Sequence, residues 1–190
     1  MRFDSGRVAL DLVATRAGRL PVEEQLRAVE QLAEWLYGAQ LLPRSVPVAV
    51  EEAWLPRFTA LREVIRRLVT AELTQQAPPP GEIGELNETA RPAPPAPRAV
   101  PAGDGKLAKA LATPPTCEAL LAVVARDAVD LFTDPLARSQ LRRCEGENCT
   151  LVYLDTSRGR RRRWCSSEVC GNRERVARHR RRTTLTAPQR

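Results

Sequence analysis

The chain has 190 residues, 43% of them apolar, and a formal net charge of +7. That size suits one medium domain, or a domain with a small module attached. No uninterrupted apolar run approaches the ~20 residues that span a bilayer, and Asp4 and Asp11 fall where a signal peptide needs its apolar stretch, so the expected setting is cytoplasmic.

The position of the charge is more informative than its size. Residues 1–140 hold 16 basic against 18 acidic side chains, whereas residues 141–190 hold 14 against 5, and all 14 are arginine. A positive field concentrated in fifty residues points to a polyanionic partner: DNA, RNA or an acidic membrane surface.

In chain order, Val22 to about Tyr37 has the spacing of an amphipathic helix. Val22, Leu26, Val29, Leu32, Ala33 and Leu36 fall on one face, Pro21 suits the first turn and Gly38 the stop. A second helical segment runs from about Val48 to Leu73 on a seam of Trp54, Phe58, Leu61, Ile65 and Leu68. Pro56 is expected to kink or divide it. The acid pairs Glu23-Glu24 and Glu51-Glu52 read as residues at helix starts, where the helix dipole favours them. Residues 78–101 contain eight of the sixteen prolines and read as an irregular connection. Ala99-Val100 and Leu107–Leu111 flank Gly103-Asp104-Gly105 as a candidate hairpin, with Pro101 opposing it. A third helix is expected from about Thr116 to Phe132, and Asp134-Pro135 reads as the cap and first turn of a short helix that follows. The first 140 residues are therefore expected to be mainly α with a small β-hairpin, an α+β arrangement.

Four of the five cysteines lie in the basic segment as C-x4-C, fifteen residues, C-x4-C: Cys144, Cys149, Cys165 and Cys170. Clustered thiols in a reducing compartment are metal ligands more often than disulfides, and two short loops separated by an excursion give the tetrahedral thiolate set that zinc favours. One structural zinc ion is the expected cofactor. The first pair would sit on a tight turn. Leu151–Leu154 would follow as a strand, Arg162-Arg163-Trp164 as its return, and a helix capped by Ser166 would hold Cys170. This is the layout of a treble-clef finger. Cys117 stands apart and reads as a small buried residue. Tyr153 and Trp164 read as finger core.

Arg163-Trp164-Cys165-Ser166 followed by Cys170-Gly171-Asn172-Arg173 resembles the CGNR zinc-finger family, and Asp155-Thr156-Ser157-Arg158 also fits its pattern. Leu10-Asp11-Leu12-Val13-Ala14-Thr15 resembles the opening motif of the ABATE domain, with Ala14 standing where that motif usually carries asparagine. The resemblance implies an α-rich ABATE-like sensing or assembly domain over 1–134. It implies a linker helix, a CGNR finger and a basic helix or tail over 135–190, together forming a stress-induced transcription regulator.

Past Cys170, the side of the expected helix bearing Asn172, Arg175, His179 and Arg182 keeps three-and-four spacing and is suited to a major groove. Arg173 and Arg178 add charge on other faces. Arg158 and Arg160, Arg161, Arg162 and Arg163 would hold flanking phosphates. Bracing of the zinc loops is the competing role for Asn172 and Arg173. The lone histidine lies in the tail, and no phosphate loop, His-based metal site or Ser/His/Asp set is present, so an enzyme is not expected. The expected function is a nucleoid-associated DNA-binding regulator. Its N-terminal domain would sense a small-molecule effector or form a homodimer, and no membrane partner is expected. The alternative is an RNA-binding or ribosome-associated zinc module, against which the scarcity of aromatics outside the core weighs.

Overall fold

The computed structural model describes residues 1–185 apart from Ser45, Pro47 and Asp104, and the side chains of 182–185 are outside the description. The elements run α1 (Val8–Ala14), α2 (Val29–Gly38), α3 (Trp54–Leu73), α4 (Pro80–Ala90), β1 (Pro97–Pro101), β2 (Leu107–Leu111), α5 (Cys117–Thr133) and α6 (Pro135–Gln140). Then come β3 (Leu141–Arg143), β4 (Val152–Leu154), a π turn over Ser167–Gly171 and α7 (Asn172–Leu185). The chain is α+β: helices with two small antiparallel strand pairs, β1 with β2 and β3 with β4.

One main core joins α1, α2, α3 and α5, with Trp35 meeting Phe58 edge to face at 6.1 Å between ring centroids. The apolar seam of α3 supplies Trp54, Phe58, Leu61, Ile65 and Leu68 to it, as its spacing predicts. The caps of the later helices are also as read. The Thr116 side chain accepts from the Ala119 N–H at the start of α5, and the Asp134 side chain accepts from the Leu136 N–H at the start of α6.

Four expectations need correction. Residues 22–28 are not helical, and α2 begins only at Val29. The Gln25 N–H is bound to the Thr15 carbonyl at 3.1 Å, and Glu24 turns inward to the buried Arg62 at 2.6 and 2.7 Å. Tertiary bonds hold this stretch open, and Glu23-Glu24 is therefore not at a helix start. Pro56 neither kinks nor divides α3, because the helix starts at Trp54 and a proline in the first turn removes an N–H that has no intrahelical partner.

The proline-rich stretch is not wholly irregular: its prolines bracket a proline-free run, and Pro80 opens α4. The hairpin also forms, with Pro101 opposite Leu107. Ala102 N–H donates to Lys106 and Ala112 N–H to Ala96, so even-numbered residues of β1 face the partner strand. Pro97 and Pro101 fall on the outward edge and cost no ladder bond. Finally, Arg162-Arg163-Trp164 is not a strand. β4 pairs instead with β3, in register Leu141 to Leu154 and Arg143 to Val152, so the hairpin encloses the first cysteine loop.

The last pairing joins the finger to the body. Strand alternation sends Val152 and Leu154 into the main core with Leu141, and Leu151 and Tyr153 into a second cluster with the cysteines. The N-terminal strap reinforces the join: Ser5 accepts from the Leu154 N–H at 2.9 Å. Gly6, at φ +93°, lies so close that a Cβ would stand 3.1 Å from Leu154 Cβ. Asp11 holds this strap by accepting from the Ser5 N–H at 3.0 Å, and burial pushes its carboxyl up to about 6. Thr15, the last residue of the opening motif, accepts from Arg62 at 2.9 Å.

Candidate metal centre and nucleic-acid interface

The first cysteine pair sits on the loop between β3 and β4, where Asn148 takes a positive φ of 59° and the Cys149 N–H bonds to the Gly146 carbonyl. The second pair enters through the π turn. The Ser166 hydroxyl accepts from Glu168 and Val169 N–H at 3.2 Å, as its capping role predicts. The sulfurs of Cys144, Cys149, Cys165 and Cys170 lie within 4.8 Å of one another. Cys149 to Cys165 is 3.9 Å and Cys165 to Cys170 is 3.6 Å. A tetrahedral set at about 2.3 Å from zinc would have edges of about 3.8 Å, so these four cysteines are placed to hold one structural zinc ion.

The surroundings suit thiolates. Gly146 and Cys165 N–H groups donate to Cys144 Sγ at 3.4 and 3.2 Å, and the Arg2 guanidinium donates to Cys165 Sγ at 3.5 Å and to its carbonyl at 2.9 Å. These donors offset part of the formal −2 charge of a zinc–tetrathiolate centre. Gly146 is pressed against the site: a Cβ there would stand 3.0 Å from Cys170 Cβ and 3.1 Å from its Sγ. Gly146→Ala is therefore expected to speed zinc release to a chelator roughly tenfold, the lower end for changes around metal ligands. An unchanged release rate would mean that the loop yields without disturbing Cys170.

Asp155 shapes the excursion between the pairs. It is buried, and its carboxylate accepts from Ser157 and from the Arg162 N–H at 2.9 Å. Burial alone would raise its pKa, but these bonds outweigh it and hold the carboxyl below its usual range. Tyr153 is buried as expected and donates its hydroxyl to the Arg162 carbonyl at 2.7 Å. Trp164 is half-buried against the same cluster. Ala14 lies in that cluster too, so the opening motif of the N-terminal body packs against the finger.

The arginines fall into groups. Arg162 lies over the Tyr153 ring at 4.3 Å and donates to the Trp164 and Cys165 carbonyls, so its guanidinium braces the finger. Arg163 is exposed, pairs with Glu145 at 2.6 Å and covers Trp164. Arg175 reaches the Ser167 carbonyl at 3.3 Å. Arg158, Arg160, Arg161, Arg173 and Arg178 are exposed and have no ion pair or side-chain hydrogen bond among the described residues. His179 is exposed on α7, and the Arg182 side chain lies outside the described residues. The Asn172 and Arg173 side chains are exposed and make no hydrogen bond among the described residues, although the Asn172 N–H donates to the Val169 carbonyl of the second cysteine loop; Glu174 ties α7 to the first loop, accepting from the Glu147 N–H at 3.1 Å.

Sequence reasoning missed Arg2 and Glu174 as bracing residues, and it placed Asp155 in a turn and in the family pattern without its bracing bonds. Asp155 carried a signal, since an Asx residue two before a serine is a turn motif. Arg2 carried none, because its partner lies 163 residues away.

Two family models match the chain. The ABATE model, described as "Putative stress-induced transcription regulator", covers residues 6–135, and the CGNR zinc-finger model covers residues 140–183. No curated protein matches.

Proposed function

The chain belongs to the ABATE family and carries a CGNR zinc finger, and from that membership we propose that it regulates transcription by binding duplex DNA through the finger and α7. The observation that carries this reading is the set of exposed, unpartnered guanidinium groups at Arg158, Arg160, Arg161, Arg173 and Arg178 around a folded metal module. An arginine needed for stability finds a carboxylate or carbonyl, as Arg162 and Arg62 do; these five are left to an outside partner. Phosphates are the partner that planar guanidinium groups suit best. The outward side of α7, with Asn172, Arg175 and His179, is the surface offered to base edges. In this reading the protein binds rather than catalyses, and it works on the nucleoid in the cytoplasm. The helical body senses an effector or pairs two copies. Among the described residues no helix is long and apolar enough to cross a membrane.

Fluorescence anisotropy of the zinc-loaded chain with duplex DNA and with single-stranded RNA, across a salt series, tests this. If those five arginines meet phosphates, log affinity should fall against log salt with a slope of about −4 to −5, from ~0.9 per phosphate. A preference for the single strand, or a flat salt response, would overturn the duplex reading.

A further inference from the structure

A cleft of about 340 Å³ opens between the first cysteine loop and one side of α7. Its floor is Gly146, Cys149 and Cys170, and its helix wall is Arg173, Val176, Ala177 and Arg180. Arg19, which belongs to the N-terminal body, also lines it. Arg19 is fixed there by its backbone. It bridges Cys149 as an isolated antiparallel pair, with the Leu20 N–H on the Asn148 carbonyl at 2.9 Å and the Thr150 N–H on the Gly18 carbonyl at 2.8 Å. Its side chain is exposed and, like that of Arg173, has no ion pair or hydrogen bond among the described residues. Glu147 and Glu174 also line the cleft, and one Glu174 oxygen is engaged by the Glu147 N–H.

We infer that this cleft seats a backbone phosphate of the bound duplex, with Arg19 and Arg173, which both line it, as its cationic contacts. The inference rests on the DNA-binding reading above and adds a contact from outside the finger. Two unpartnered guanidinium groups lining one cleft suit a phosphodiester, which planar guanidinium forks bind well. The Arg19 backbone is held by main-chain bonds to the metal loop, so on binding only its side chain has to be ordered. The remaining exposed arginines of the finger extend the positive surface beyond the cleft, which suits a polymer of phosphates rather than one small anion.

The test is anisotropy on duplex DNA across a salt series with the full zinc-loaded chain, comparing wild type, Arg19→Ala, Arg19→Lys and Arg98→Ala. Arg98 is an exposed arginine on β1 and serves as the charge control. Arg19→Ala should keep one zinc per chain, lose roughly three- to tenfold in affinity at physiological salt and flatten the salt slope by about 1. Arg19→Lys should restore the slope, and Arg98→Ala should change neither. Wild-type affinity and slope in Arg19→Ala, or an equal loss in Arg98→Ala, overturns the inference while leaving DNA binding intact. Failure of wild type to bind duplex overturns both.

Discussion

Cys165→Ser should strip the chain of its zinc and of its affinity for duplex DNA together. Cys165 is buried, its sulfur lies 3.9 and 3.6 Å from two other ligands, and its N–H donates to the sulfur of Cys144. Removing it breaks the centre at its most connected point. Around the centre itself, the fully buried side chains beyond the cysteines are only Leu151 and Tyr153 of the finger and Ala14 of α1. Structural zinc contributes roughly 10–16 kcal/mol in small finger peptides, far beyond what such a cluster supplies. Zinc per chain, read by atomic absorption, should fall from one to near zero, and duplex binding to that of an unstructured basic tail. Cys117→Ser, outside the centre on α5, should keep both. A Cys165→Ser protein with full zinc and wild-type affinity would sink the metal-dependent account.

The second large effect is expected at Arg62→Ala. Arg62 is 2% exposed on α3 and donates to both oxygens of Glu24 and to Thr15. Breaking a buried pair from one side typically costs about 3–5 kcal/mol. The Glu24 side chain is 32% exposed, so water can take over part of its solvation and the lower end, about 3 kcal/mol, is expected. For a chain of this size that lowers the melting temperature by roughly 10 °C.

Burial alone would raise Glu24, but its bonds to Arg62 and to the Leu26 N–H outweigh this and hold its pKa below the usual value. A depressed acid contributes stability that is present above its unfolded pKa and is lost as pH falls through the folded one. The gap in melting temperature between wild type and Arg62→Ala should therefore be largest near neutrality and shrink on acidification below about pH 4.5. A gap independent of pH would mean that Arg62 acts through packing alone.

The legible parts of this molecule were those specified locally. The seam of α3, the Thr116 and Asp134 caps and the cysteine spacing each place their residues within a few positions of one another, and each appears in the structure as read. The illegible parts depend on partners far along the chain. The periodicity from Val22 onward is genuine, yet Arg62 and the Thr15 carbonyl hold that stretch out of a helix. The proline content of residues 78–101 obscures α4, whose residues after Pro80, Gly81 to Ala90, contain no proline. At the site, the four ligands and the capping serine were plain. The division of the arginines into bracing and unpartnered groups was not, since Arg162 and Arg161 are neighbours in sequence and differ only in what lies beside them.

β4 is a party wall. Three residues long, it lends alternate side chains to two interiors, Val152 and Leu154 to one and Tyr153 to the other. Such a strand makes the finger poorly portable. Cut free and grafted onto another protein, it would carry Leu141, Val152 and Leu154 as a bare greasy face and would leave behind the Arg2 that attends its metal. Modularity read along the chain is therefore not modularity in space, and shuffling of this finger between hosts would require each host to offer a matching wall.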